Sequence, residues 1–425
     1  MFYDVIVIGA GLAGLMAAES AADTGAKVLL LAKGLGSLPL TTGCIDVLGY
    51  FPATSKTPLA SPFSKIKRIP AQHPYGKVGT EGLAAALSHF HRILASENYP
   101  YQGSGEKNIL IPTSLGSLHP TALVPETFRE GDLSISGSVL LLGFEGLKDF
   151  FPHFAAENLN LLHQKGAASS VFRAAILKRP DLGEKVLNGL SLASAFEKED
   201  FRAAFAKEIR SLVRPGEKLG LPAVLGIDSP RKVWSDLQKR VGAPIFEIPL
   251  PPPSVPGLRL QRILRSNFQK KGGRLFIGFS ELAPVIENSR IVGLTLGDSR
   301  RNVPHRAAAF VLATGQFVGG GLDSERNRIF ETLFNLPLRY PENRKDWFRS
   351  PLLSPSGQPF NAFGVEVDRN LQPVDLQGEI VYANLFAAGG IISHGDSMNE
   401  KSGGGIAVST GYLAGKNAAE FAKKL

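Results

Sequence analysis

Cysteine is almost absent from this chain of 425 residues, which contains only Cys44. A single thiol excludes an intramolecular disulfide, a cysteine-based zinc site and an iron–sulfur cluster bound by this chain alone. If the protein passes electrons on one at a time, a partner must carry the clusters. Long apolar runs are also missing, and none reaches the roughly 18 residues of a membrane span. The apolar N-terminal run Val5–Ala18 lacks a basic leader and contains three glycines, so it reads poorly as a signal peptide, and a cytoplasmic protein is expected. With 44% apolar and 20% charged residues the chain is neither disordered nor collagen-like. Its 46 glycines and 29 prolines forecast many loops.

Acids are scarce in one region. Residues 201–275 hold fifteen Lys/Arg against five Asp/Glu, which accounts for the net charge of +9. Such a surface suits an anionic substrate, a lipid headgroup or an acidic partner, and a merely solvated face is the plainer reading. No nucleic-acid motif accompanies the charge, so no nucleic-acid partner is expected.

The first fifty residues carry the strongest pattern. Tyr3-Asp4-Val5-Ile6-Val7-Ile8 is a β-branched run of strand length, followed by Gly9-Ala10-Gly11-Leu12-Ala13-Gly14. Leu15–Thr24 reads as a helix stopped by Gly25, and Lys27–Leu31 as a second strand. Glycine at 9, 11 and 14 allows a tight turn, close approach of backbone N–H groups to a pyrophosphate, and close helix packing. The flanking strand, helix and strand supply the context that a G-x-G-x-x-G match needs. The usual acidic residue after the second strand is replaced by Ala32-Lys33; Lys33 either faces a phosphate or is a surface lysine.

Further along, a helix is expected near Thr80–Ser96, a buried strand at 139–144 leading into a helix over Glu145–Gln164, and one amphipathic helix over Ser194–Val213. The proline-rich Ile248–Gly257 reads as a linker, followed by a helix over Leu258–Lys271. Segments 274–280, 283–287 and 291–296 suggest a β-meander, and 307–312 a buried strand closed by Ala313-Thr314-Gly315. The tail repeats the theme with strand 385–388, Gly389-Gly390, a polar loop, Gly403-Gly404-Gly405 and an Ala-rich helix.

Together the N-terminal fingerprint, Val311-Leu312-Ala313-Thr314-Gly315 and Leu385-Phe386-Ala387-Ala388-Gly389-Gly390 resemble the flavoproteins of the fumarate reductase and glutathione reductase superfamily. More narrowly, the stretches 33–49 (with Thr41-Thr42-Gly43-Cys44), Thr113–Gly116, Leu142–Phe150 and Pro252–Leu260 are similar to the B subunit of the anaerobic glycerol-3-phosphate dehydrogenases. The resemblance implies an α/β fold: a Rossmann-like flavin-binding domain with parallel sheet and β-meander, assembled from 1–110, 250–325 and 360–425. An inserted α/β cap region at 111–249 and a short insertion at 326–359 complete it. It implies oxidation of sn-glycerol 3-phosphate to dihydroxyacetone phosphate. The implied partners are a flavoprotein, the A subunit, and a membrane-associated iron–sulfur protein, the C subunit, that feeds the quinone pool; this chain would be peripheral to the membrane through its complex. The family attribution of the cofactor is FMN, whereas the glycine fingerprint argues for FAD.

Expected flavin contacts are Gly9, Gly11, Gly14, Lys33, Thr41, Thr42, Gly43, Thr314, Gly315, Gly389, Gly390, Gly403 and Gly404, with Ser402 and Ser409 offering hydroxyls; capping and packing explain Thr41, Thr42, Ser402 and Ser409 equally well. Alcohol oxidation needs a base and cations for the phosphate. His394 is the candidate base because imidazole titrates near neutrality. Arg259 and Arg262, three apart on one helix face, are the candidate phosphate ligands, with Arg265 extending the row. Asn399-Glu400-Lys401 stands where fumarate-reductase-like proteins carry a substrate arginine, which counts against a dicarboxylate. Two other readings stay open: an electron-carrying or scaffolding protein whose partner oxidises the alcohol, and a fumarate reductase or aspartate oxidase-like enzyme. Cys44 reads as a small buried residue, and His89 and His91 as unsuited to a shared metal.

Overall fold

A computed structural model describes residues 2–178, 186–297 and 304–425. The chain forms two compact units, one of Met1–Ser37, Asp46–Ile93 and Ile263–Leu425, the other of Leu38–Ile45 and Leu94–Arg262. The expected boundaries at 111 and 249 therefore fall nearer 94 and 262, and the segment 326–359 belongs to the first unit.

The first unit is built on a parallel sheet. Strand β1 (Phe2–Ile8) lies between strand β2 (Val28–Ala32) and His305–Leu312, with Arg274–Ile277 beyond β2. Leu385–Ala387 adds a further parallel neighbour to His305–Leu312. Val5, Ile6, Val7 and Leu30 are fully buried, as continuous apolar strands covered on both faces must be. Helix α1 (Leu12–Ala22) packs against the tail helix Gly403–Ala422, and small residues bring the two backbones close. A Cβ at Gly411 or Gly415 would lie 2.4 Å from Ala13 O or 2.1 Å from Ala17 O. The antiparallel part is a three-stranded meander of Leu282–Glu287, Arg290–Leu296 and His305–Leu312. Arg274–Ile277, expected as the first strand of the meander, pairs with β2 instead. Gly278, with φ +102°, turns the chain away and donates its N–H to Ala32 O.

The second unit contains its own four-stranded parallel sheet, in the order Ile245–Ile248, Glu217–Pro222, Gly137–Phe144, Ser170–Leu177. That order matches the first four strands of a flavodoxin-like doubly wound sheet, whose ligands bind where the winding reverses, outside the strand carboxyl ends. Here the protein's own carboxylates fill that region. Glu197 Oε1 accepts the N–H groups of Ile227, Asp228 and Ser229 at 2.8, 2.8 and 3.0 Å, just ahead of helix Pro230–Val241. Serving those amides interrupts the helix expected over Ser194–Val213, which is two helices, Gly189–Phe196 and Glu199–Ile209. Arg202 spans the break by donating to the carbonyls of Phe196 and Glu197, both at 2.8 Å. The proline-rich stretch is no linker between units: Ile248, Ser254 and Val255 are buried within the second unit, and helix Val255–Lys270 starts there with Pro256 in its first turn.

Candidate active site

The turn after β1 is shaped by close backbone contacts. Gly9 has φ +112°, and a Cβ there would meet Ala313 O at 2.3 Å, so the turn crosses the end of strand His305–Leu312. A Cβ on Gly14 would lie 1.9 Å from Gly9 O, which presses α1 onto the turn. Gly11 differs, because a Cβ there would have nothing within 4 Å. This glycine is not required by the protein's own packing. Gly11 caps α1 without any side-chain hydrogen bond, and no acid occupies the first turn, so no acid of the helix neutralises its positive end. Gly36, unrecognised in the sequence reading, brings the loop after β2 against this turn, with its Cβ position 2.6 Å from Gly11 N. The Gly34-Leu35-Gly36 spacing after the second strand was the available signal.

Thr314 lies beside Gly9, its backbone N 3.3 Å from the Cβ position there. The Oγ1 of Thr314 is a buried atom without a hydrogen-bond partner in the protein, an arrangement that is costly unless a ligand supplies one. An uncapped helix end, an open glycine and an orphaned hydroxyl in one place fit a flavin nucleotide, whose pyrophosphate and ring oxygens complement them. Lys33 is exposed, just past β2.

At the tail, Gly389 sits with φ +76° against Ala13, and its N–H is already donated to Thr410 Oγ1 at 2.8 Å. Gly390 is the exposed member of the pair. Gly403 and Gly404 open the tail helix, whose cap Ser402 makes no side-chain cap bond. The Ser402 hydroxyl goes to Glu400 at 2.7 Å and the Ser409 hydroxyl to Gly405 O at 2.7 Å, so both serve packing. Thr41, Thr42 and Gly43 belong to the second unit. Thr41 Oγ1 donates to Leu38 O at 2.9 Å, and Thr42 Oγ1 accepts from Cys44 N at 3.2 Å, which are local turn bonds. Gly43 passes so close to Pro256 that a Cβ would sit 2.6 Å from its Cβ.

The expected phosphate ligands are placed differently. Arg259 has no exposed side-chain surface and is doubly bonded to Glu247 at 2.6 and 2.9 Å, with its Nε on Gly226 O at 2.7 Å. Burial disfavours its charge, and the Glu247 carboxylate more than offsets this, so its pKa is raised above the ordinary value. A phosphate has no access to it, which corrects the expectation. Arg262 is exposed and paired with Asp228. Arg265 is half-buried on the same helix. Cys44 is buried, and no cluster able to hold a metal ion occurs among the described residues.

His394 lies in the first unit, in the loop after Gly389-Gly390, at φ +71°. Its Nε2 is 2.8 Å from Glu366 Oε2, and Glu366 also meets Arg339 Nε at 3.0 Å and Lys77 Nζ at 3.4 Å. Burial raises the Glu366 pKa, but the hydrogen bond from His394 and the surrounding positive charge win and hold it below the ordinary value. Sequence reasoning missed Glu366, Arg339 and Lys77, which are distant in the chain and joined only by folding. Glu400 is tied to His73 Nε2 at 3.2 Å, and His73 Nδ1 accepts the Tyr75 N–H at 3.1 Å. That backbone bond puts the histidine proton on Nε2, facing Glu400.

A dinucleotide turn on a parallel sheet, closed by a glycine-rich tail strand and helix, defines a flavin-binding oxidoreductase. The sequence profile of the FAD binding domain matches residues 4–406. The B subunit of the probable anaerobic glycerol-3-phosphate dehydrogenase of Halobacterium salinarum is 34% identical over 98% of this chain and 98% of its own. The B subunit of the anaerobic glycerol-3-phosphate dehydrogenase of Pectobacterium atrosepticum is 30% identical over 96% of each. A solved 3-ketosteroid-Δ4-(5α)-dehydrogenase from Rhodococcus jostii RHA1 covers 100% of this chain and 97% of that one at 15% identity, with a TM-score of 0.43. The chain belongs to the FAD binding domain family and, within it, to the family of anaerobic glycerol-3-phosphate dehydrogenase B subunits. No helix among the described residues is long and apolar enough to cross a membrane.

Proposed function

We propose that this flavoprotein oxidises sn-glycerol 3-phosphate to dihydroxyacetone phosphate as the B subunit of an anaerobic, quinone-linked complex, peripheral to the membrane through its partners. The observation that carries this reading is identity along nearly the whole chain to proteins bearing that name. The single cysteine supports a division of labour in which an iron–sulfur protein, the C subunit, works beside a flavoprotein, the A subunit, and takes electrons to the quinone pool.

Gly9, Gly11, Gly14, Thr314, Gly315, Gly390, Gly403 and Gly404, all of the first unit, would hold the flavin, with Lys33 and Gly389 of the same unit shaping the loops around it. Bound flavin supplies the acceptor for the hydride lost by the alcohol carbon. His394 takes the hydroxyl proton, its ring held by the 2.8 Å contact of Nε2 with Glu366 Oε2. Asn399-Glu400-Lys401, in the stretch where fumarate-reductase-like proteins carry a substrate arginine, and the engagement of Glu400 by His73 and Ser402 count against a fumarate-type reaction. The sealed Arg259 favours keeping one rival reading, in which this chain carries electrons and a partner oxidises the alcohol.

The test is anaerobic addition of sn-glycerol 3-phosphate to the purified flavin-loaded chain while following the flavin absorbance. Bleaching by the chain alone is expected. Bleaching only after a partner protein is added would move the chemistry to that partner.

A further inference from the structure

The cluster around Glu366 has more cation than its carboxylate can answer. Lys77, Arg339 and His394 converge on one side chain from three separate segments of the first unit. With His394 neutral the group nets one positive charge, and with an imidazolium two. Donors also outnumber acceptors: guanidinium has five N–H bonds and ammonium three, against about four lone-pair positions on a carboxylate. Arg339 and His394 are 39% and 36% exposed, so a solute can reach them, while Lys77 and Glu366 are mostly buried at 15% and 13%.

The backbone holds His394 to this arrangement. Its φ of +71° is unusual for a residue with a side chain, and surrounding bonds maintain it. His394 N–H donates to Ala362 O at 2.9 Å, and Ser393 N–H to Val365 O at 3.0 Å. The same loop is tied to the cofactor turn. Gln316, next after Gly315, donates through Nε2 to the carbonyls of Asn361 and Phe363 at 2.9 and 2.7 Å, and Gly390 lies against Gln316. A half-exposed cationic cluster whose histidine sits on a left-handed backbone, anchored beside Gln316, is more than a solvated ion pair.

We infer that Arg339 and Lys77 bind the phosphate of a small organophosphate and that Glu366 positions His394, donating through Nε2, so that Nδ1 faces the substrate as proton acceptor. This rests on the proposed alcohol oxidation for the identity of the substrate, but not for the anion site. Glu366, Arg339 and Lys77 are the charged groups meeting the imidazole cluster, with Asp396 on the same loop engaged by Asn361 and Asn399. Glu366 is a positioning residue, because it acts through His394.

The experiment uses the full flavin-loaded chain and titrates inorganic phosphate by calorimetry, in wild type, Arg339→Gln and Lys77→Met. Phosphate affinity is expected to fall at least tenfold in each variant, with flavin content and melting temperature retained. Unchanged affinity in both variants, or no phosphate binding by wild type, overturns the site. For Glu366→Gln, flavin reduction by sn-glycerol 3-phosphate should slow about tenfold at saturation, with KM little changed. The acid limb of its pH profile should move to lower pH, and Glu366→Asp should restore part of the rate. A profile that does not move overturns the positioning role. Phosphate binding that depends on Arg339 and Lys77 while wild-type flavin stays oxidised with substrate would sink the proposed oxidation and keep the site. Bleaching with variant-independent phosphate affinity does the reverse.

Discussion

Arg259 and Glu247 form a doubly hydrogen-bonded ion pair with neither side chain exposed to solvent. Thr127 Oγ1 and Leu225 N–H complete the carboxylate's shell at 2.7 and 2.8 Å, so the pair pins loops of the second unit around the carboxyl ends of its parallel strands. Removing one partner strands a buried charge. Arg259→Met should therefore destabilise this unit by about 3–5 kcal/mol, and Arg259→Met with Glu247→Leu should recover much of the loss. Urea unfolding followed by Trp234 fluorescence checks both. A single variant as stable as wild type would show that the carboxylate is solvated or protonated.

Gly11 and Gly14 should separate cofactor need from fold need. Gly11 has φ −72° and ψ 178°, accessible to alanine, and no neighbour for a Cβ, so Gly11→Ala should leave the melting temperature of the apoprotein unchanged or slightly raised. Flavin affinity should nonetheless fall at least tenfold, because the methyl group would occupy the space the pyrophosphate takes. Gly14→Ala collides with Gly9 O and should lower both stability and flavin content. Full flavin affinity in Gly11→Ala would show that the cofactor does not approach this turn. Melting scans of apoprotein and fluorescence titration with flavin provide the readouts.

Thr314 offers the complementary case. Its buried hydroxyl lacks a protein partner, and replacing such a group by an apolar one of the same shape is close to neutral. Thr314→Val should keep or raise apoprotein stability and weaken flavin binding by about 0.5–1.5 kcal/mol, the ordinary net worth of one hydrogen bond. Equal flavin affinity in the two proteins would mean that the hydroxyl faces no cofactor atom.

Local patterns carried most of the flavin half of the molecule. The β1 run, its glycines and the tail helix are legible because neighbours in sequence are neighbours in the turn. What sequence reading missed depends on long-range closure. Nothing near Lys77 or Arg339 announces that both meet Glu366, and nothing near Arg259 announces that Glu247, not a substrate, answers its charge. The helix break at Glu197 was hidden for the same reason, because the amides that draw its side chain away lie some thirty residues on. The proline run at 248–257 looked like a linker, yet the exposed Pro251–Pro253 lie between Ile248 and Leu250 on one side and Ser254 and Val255 on the other, all buried in the second unit, and Pro256 lies in the first turn of a helix there.

Glu217 gives a pH dependence with a definite sign. Two hydrogen bonds from Arg173, with the Arg214 N–H at 2.8 Å, hold its carboxyl below the ordinary value of 4.5, against burial that pushes it up. A carboxyl whose folded pKa is depressed contributes stability that is fully present above the unfolded value and is lost as pH falls through the folded one. The contribution of this pair should thus be complete at pH 7 and decline from about 4.5 downward. Glu217→Gln should lower the urea midpoint at pH 7 and lose less on going to pH 3.5, so the gap between the two proteins narrows in acid. A gap that is constant from pH 7 to 3.5 would mean that Glu217 contributes through packing and not through its charge.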